Sequence, residues 1–334
     1  MKLFRNYICL MAGAALMLAS CDDKTAEQPT AALSVDKLHY EVNENMTVRF
    51  VGNADNVVVY PGDEDHDYEL RDQSNTGLVV NKGFLNYSYQ KPGIFHVVCV
   101  ATNHEDAGNS LKSDTTSVWV TVTDNANAIT NVSISLFAGR NEVYADLIGS
   151  SDWLLSLSRK ARFNGRDGNI ALKNQVVAIY QESPSQTVEI KTADDADYEP
   201  FKATTKRDLS KVFDIRSTSA SGDVRDYRLY TLYYGEFKAF KLAGVAGTLV
   251  RSEYDYAATT MNIEVPAGTD LTAIAPEFTL NDPANEKVYI GDVEQTSGTP
   301  VDFTSPVTYR FVAAHASNPA ITVESTCVVT ATVK

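Results

Sequence analysis

The 334-residue chain is poor in the residue types that most often carry chemistry, with four cysteines, five histidines and two tryptophans. The cysteines make no CxxC and no Cys/His zinc spacing, which excludes the common zinc modules. His39, His66, His96, His104 and His315 fall at strand edges and in loops with no partner pattern. No GxSxG elbow, HExxH pair, P-loop or post-strand GxGxxG occurs. Helical periodicity is also missing, since no 3.6-residue apolar repeat is sustained over about 12 residues. Positive charge is the last shortage. Lys and Arg number 29 against 43 Asp and Glu, a formal net charge of −14, and a surface this acidic repels nucleic acid and anionic lipid headgroups. The expectation is a chain that is not an enzyme, holds no metal or other cofactor and binds no nucleic acid.

The first residues carry a targeting pattern. Lys2 and Arg5 precede an apolar run, residues 7–19, that is too short to cross a hydrocarbon layer of about 30 Å as a helix. Leu18-Ala19-Ser20-Cys21 then resembles the lipobox of bacterial lipoproteins. That resemblance implies removal of residues 1–20 and acylation of Cys21, with the lipid as the chain's contact with the membrane. Asp22-Asp23 is similar to the acidic export tag of surface-exposed lipoproteins in some Gram-negative groups; in other groups an aspartate there retains the protein at the inner membrane. An outer-membrane location, lipid-anchored and facing the exterior, is the expectation adopted. Residues 21–32 (CDDKTAEQPTAA) read as a lipidated flexible tether, being polar and Pro-containing.

Beyond the tether, strand signals dominate. VRFVG, VVVYP, FHVVCVA and VWVTVT are β-branched or aromatic runs separated by Gly, Pro and Asn turns. Strands this short and closely spaced argue for an all-β chain of tandem sandwiches. SSDWLLSLSRKARF (150–163) reads both ways, with Ser151 or Asp152 as helix caps, or with Trp153, Leu155 and Leu157 alternating as in a strand. Cys99 and Cys327 each lie in an apolar strand, where a thiol behaves as a small hydrophobe, and a disulfide between them is not expected. Asp63, Asp65 and Asp67 alternate in DEDHD, but an EF-hand starting at Asp63 would need Gly and Glu where Tyr68 and Ser74 stand. A solvated acidic turn is the better reading of DEDHD, and of DDADYE at 194–199.

Residues 33–123 resemble a PKD-like, immunoglobulin-type sandwich. VRFVGNADNVVVYPGDEDHDYE and YSYQKPGIFHVVCVATN carry the resemblance, although Glu64 stands where that family has a second turn glycine. Residues 236–334 resemble an immunoglobulin-like module of surface lipoproteins through VPAGTDLT, the P-x-F at 276–278 and SGTPVDFTSPVTY. They depart from it at residues 315–319, where the loop is longer. Residues 129–235 read either as an unrelated second sandwich or as a diverged copy of the third, with KVFDIRSTSASGDVRDYRLYTLYY laid on VTYRFVAAHASNPAITVESTCVVTATV. Residues 124–128 form a polar linker.

The resemblance implies a non-enzymatic surface lipoprotein akin to glycan-binding lipoproteins of nutrient-uptake systems. It implies an extracellular poly- or oligosaccharide as ligand, an outer-membrane uptake complex as partner, and binding in the last module. Aromatic rings suit sugar C–H faces, and Trp153, Tyr254, Tyr256 and Tyr289 are the candidates, with Tyr254 and Tyr256 placed by alternation on one face. Trp119 is expected in the core. Tyr227, Tyr230, Tyr233 and Tyr234 are expected along a strand or against the next module. The alternative is a cell-surface adhesin or fimbria-like protein that binds a protein partner through a strand edge or flat patch.

Overall fold

The computed structural model describes residues 27–104, 111–136 and 141–334. Cys21, Asp22 and Asp23, read above as lipidation site and export signal, lie outside the described residues. The chain divides into two compact units, residues 1–125 and 126–334. Both are built from β-strands, and the immunoglobulin-like, all-β class read from the sequence holds. Among the described residues no helix is long and apolar enough to cross a membrane.

In the first unit a three-stranded sheet (Leu33–Val35, Met46–Phe50, Phe84–Tyr87) and a five-stranded sheet share one core. The larger sheet runs His39–Glu41, Leu111–Thr123, Gly93–His104, Asn56–Tyr60, Leu78–Val79. Val48, Val97 and Cys99 meet between the sheets, and burial pushes the Cys99 thiol up to about 11. Tyr89 stacks on Phe95 with ring centres 4.2 Å apart and donates its hydroxyl to Pro61 O at 2.8 Å. The acidic turn is held by its own chain. Tyr87 donates to Asp63, and Asp67 Oδ1 accepts from Glu69 N at 2.8 Å to cap the short 3-10 turn Tyr68–Leu70. Among the described residues no three His, Cys, Asp or Glu side chains are grouped to hold a metal ion.

The second unit contains two sandwiches with the same strand order. In one, the large sheet runs Asp146–Ile148, Asp152–Leu157, Val224–Tyr233, Phe213–Thr218, Thr187–Thr192, Glu199–Pro200. In the other it runs Val250–Arg251, Ala258–Val265, Asn318–Val333, Val307–His315, Glu286–Ile290, Val293–Glu294. Each closes by pairing an early strand parallel to the last one, Asp152–Leu157 with Val224–Tyr233 and Ala258–Val265 with Asn318–Val333. The hairpin Phe213–Thr218/Val224–Tyr233 therefore holds the same position as Val307–His315/Asn318–Val333. The segment that read both ways is a pair of strands, Asp152–Leu157 and Lys160–Phe163. Its consecutive apolar residues are explained by burial on both faces. Trp153, Leu155 and Leu157 enter the core of their own sandwich, while Leu154 faces Tyr230, Ala313, Ile321 and Val323 of the junction with the next.

Turn chemistry sets the loops of the last sandwich. Gly268 and Gly298 take the left-handed backbone, at φ +80° and +90°, that a Cβ disfavours. Thr269 Oγ1 donates to Pro266 O, Asp270 Oδ1 accepts from Thr272 N, and Ser297 Oγ accepts from Phe278 N. The core here is aromatic, with Phe237 edge-on to both Tyr309 and Phe311 at 5.2 and 4.8 Å.

The two sandwiches are tied by charge as well as by apolar contact. Arg159 Nη2 donates to Glu286 Oε1 at 2.7 Å. Arg251 reaches Glu236 at 2.6 Å within its own sandwich and Asp167 of the other at 3.3 Å. Ser325 Oγ donates to Gly235 O, and Tyr230 meets His315 edge to face at 5.1 Å. Removing one partner of a buried ion pair strands the other charge, at about 3–5 kcal/mol. Arg251→Met should therefore lower the unfolding free energy of the second unit by about that much in denaturant titration. A change within experimental error would show that Glu236 is solvated in a way the structure does not show.

Candidate ligand-binding surfaces

The sequence candidates are not brought together as one aromatic platform. Trp153 is 4% exposed and packs in the core of its sandwich, so its ring has no face for a ligand. Tyr254 and Tyr256 do not share a face, because residues 252–257 form a turn rather than a strand. Ser252 Oγ accepts from the amides of Tyr254 and Asp255, and Asp255 Oδ1 accepts from Ala257 N. This turn throws Tyr254 fully outward, at 95% exposure. It turns Tyr256 inward, half-buried against the core of the preceding sandwich, where Asn141 Nδ2 donates to its hydroxyl at 2.9 Å. Tyr289 lies on the outer sheet face and pairs in register with Arg310. The Arg310 guanidinium sits 4.8 Å from its ring centre and is held in turn by Glu324 at 2.8 Å. Tyr254 is thus a bare ring and Tyr289 a ring with one face capped by a cation.

Trp119 corrects a second expectation. It is 59% exposed, on the outward face of the first unit's larger sheet. Val118, Val120 and Val122 alternate with it and fill the core. Trp119 faces His96 across the Gly93–His104/Leu111–Thr123 ladder, and the two rings stack at 4.3 Å and 10°. Ile94 and Val79 stand exposed on the same face. The signal was present in SVWVTVT, where the valines share one parity and Trp119 shares the other with Ser117, Thr121 and Thr123.

The four tyrosines of the long strand and its end divide by face. Tyr227 lies in its own core, and its hydroxyl accepts from Ile129 N at 3.1 Å. Tyr230 and Tyr234 contribute to the junction cluster. Tyr233 donates to Ile170 O at 2.6 Å, carries the Arg159 guanidinium 4.6 Å from its ring centre, and has its phenol pushed up by burial. Cys327, buried in the last core, has a thiol pushed up to about 11 by the same cause, so neither described cysteine offers a ready nucleophile.

With this geometry in place, the relatives are informative. Residues 238–324 match the family model described as SGBP, N-terminal. Residues 20–138 match that of a domain of unknown function, DUF5017. No curated protein matches the chain. Among solved structures, a putative glycoside hydrolase from Bacteroides thetaiotaomicron is 24% identical over 29% of this chain and 24% of its own, at a TM-score of 0.20. The chain thus spans about a quarter of that protein's length. An I-band fragment of titin is 13% identical over 93% of this chain and all of its own (100%), at 0.22. The SGBP-B of a Bacteroides ovatus mixed-linkage glucan utilization locus, in complex with a mixed-linkage heptasaccharide, is 10% identical over 91% of this chain and 71% of its own, at 0.23. Superpositions this loose define no shared site.

The contrast between the two tryptophans is directly measurable. A Trp153→Phe variant, emitting from Trp119 alone, should fluoresce to the red and be strongly quenched by acrylamide. A Trp119→Phe variant should emit to the blue and resist quenching. The reverse pattern would contradict the placement of both rings.

Proposed function

We propose that this is a non-enzymatic, glycan-binding protein of the cell surface. The observation that carries the reading is the SGBP, N-terminal match over residues 238–324, which falls on the sandwich whose entry turn presents Tyr254 bare to solvent. SGBP denotes a surface glycan-binding protein. A sugar ring docks by its C–H face on such a phenol, while hydroxyls bond to polar groups around it. Capture feeds an outer-membrane uptake complex, and the chain is held at the outer membrane by lipid on Cys21, with Asp22-Asp23 directing it outward. The family-model match and the absence of catalytic motifs from the sequence support a binding role over a catalytic one. Residues 33–123 act as a PKD-like spacer, 129–235 and 236–334 as further sandwiches, in this reading.

Native affinity electrophoresis in gels cast with plant, host and microbial polysaccharides tests it. At least one polysaccharide should retard the chain, and Tyr254→Ala should weaken that retardation by roughly 3- to 10-fold in apparent affinity, the worth of one aromatic stack. No retardation in any gel would overturn the reading.

A further inference from the structure

The junction between the two sandwiches of the second unit forms a half-open cavity of about 400 Å³. Its size sits at the small end of the range for ligand pockets, about 300–1,000 Å³. Its walls come from five separate stretches of chain. Arg159 enters from one strand end, Thr231 and Tyr233 from the last strand of the first sandwich, Glu286 from the second sandwich, and His315 from the end of the strand Val307–His315. Leu172 and Leu232 supply apolar wall.

What distinguishes this cavity is unspent hydrogen-bonding capacity. Glu286 is 4% exposed, and its Oε1 is taken by Arg159, yet its Oε2 is buried with no protein partner. Thr231 is 7% exposed and its hydroxyl is likewise buried and unpartnered. Arg159 Nε is a third such atom, a donor beside the two acceptors. Buried polar atoms are nearly always satisfied, and leaving them bare is costly. Three around one cavity, on side chains that line it, describe a site prepared for something that both donates and accepts.

Charge narrows the class of ligand. Glu286 and Asp282 line the cavity against the single cation Arg159, so an anion is disfavoured. A simple cation would meet the Arg159 guanidinium and leave its Nε unsatisfied. A hydroxyl-rich neutral molecule meets every requirement, because each hydroxyl can donate to Glu286 Oε2 and accept from Arg159 Nε or Thr231 Oγ1. Planar polar side chains beside an apolar wall also suit a ring with polar edges and C–H faces. His315, whose imidazole burial holds below its usual range, adds a neutral acceptor or donor rather than a second cation near neutral pH.

We infer that this junction cavity binds one neutral sugar ring of the captured glycan, with Glu286, Arg159 and Thr231 reading its hydroxyls. The inference rests on the glycan-binding reading above and adds to it a second, recessed subsite set apart by chemistry from the exposed Tyr254 ring.

The test uses the purified full chain and defined probes: glucose, galactose, mannose, xylose, cellobiose and maltose, followed by saturation-transfer NMR. Thr231→Val removes the hydroxyl at nearly constant volume, and Glu286→Gln keeps an acceptor for Arg159 while changing the second oxygen. At least one probe should bind, and each variant should weaken it about tenfold, the worth of one hydrogen bond. The melting temperature of Thr231→Val should be unchanged or higher, because its hydroxyl bonds to nothing in the protein. Binding unaltered by both variants would overturn the inference, and so would no binding of any probe. If polysaccharide gels still retard the chain in either of those cases, the surface reading stands and only the cavity falls. If they do not, both fall.

Discussion

The Arg159–Glu286 pair is the contact on which the second unit turns. A carboxylate is taken out of water there and compensated by one guanidinium from the neighbouring sandwich. Such a pair adds little net stability, since desolvation offsets most of its Coulomb attraction. It ties the two sandwiches together, since separating them would strand the buried Glu286 carboxylate. The apolar cluster of Leu154, Tyr230, Ala313, Ile321 and Val323 then closes beside it, and the second salt link through Arg251 reinforces the same arrangement. The cavity is a consequence. The two sandwiches leave a space between them, and the Arg159–Glu286 pair is part of its lining.

Strand and turn positions were largely legible. β-Branched runs punctuated by Gly, Pro and Asn became strands, and the GTD and SGT turns made the local side-chain bonds their residue types allow. Laying the hairpin at 213–233 on that at 307–333 was one of two readings the sequence left open, and the two hairpins hold equivalent positions in sheets of one strand order. What was misread were faces. Period-2 alternation says which residues share a side of a strand but not which side meets the core. Trp119 was expected in the core, although its parity partners were Ser and Thr. Asp152–Leu157 was ambiguous for a related reason. A strand covered on both faces loses alternation and cannot be told from a buried helical segment by pattern.

The candidate site was less legible than the fold. Tyr254 and Tyr256 were placed together by an alternation that requires a strand, and Ser252 and Asp255 instead close a turn that sends the two rings apart. The junction cavity had no sequence signal at all. Arg159, Thr231, Glu286 and His315 are dispersed along the chain, and each reads alone as an unremarkable strand-end residue. The expected longer loop at 315–319 is instead a two-residue turn at 316–317 between paired strands, and it leaves His315, at a strand end, against Tyr230.

Hydrogen–deuterium exchange of the full chain, with and without an oligosaccharide cut from whichever polysaccharide retards it, tests the central claim most directly. Binding at the junction should slow exchange at residues 231–233, 281–286 and 313–316 together, since the ligand would bridge all three stretches. Protection confined to residues 93–123 of the first unit, or no protection anywhere, would contradict the account.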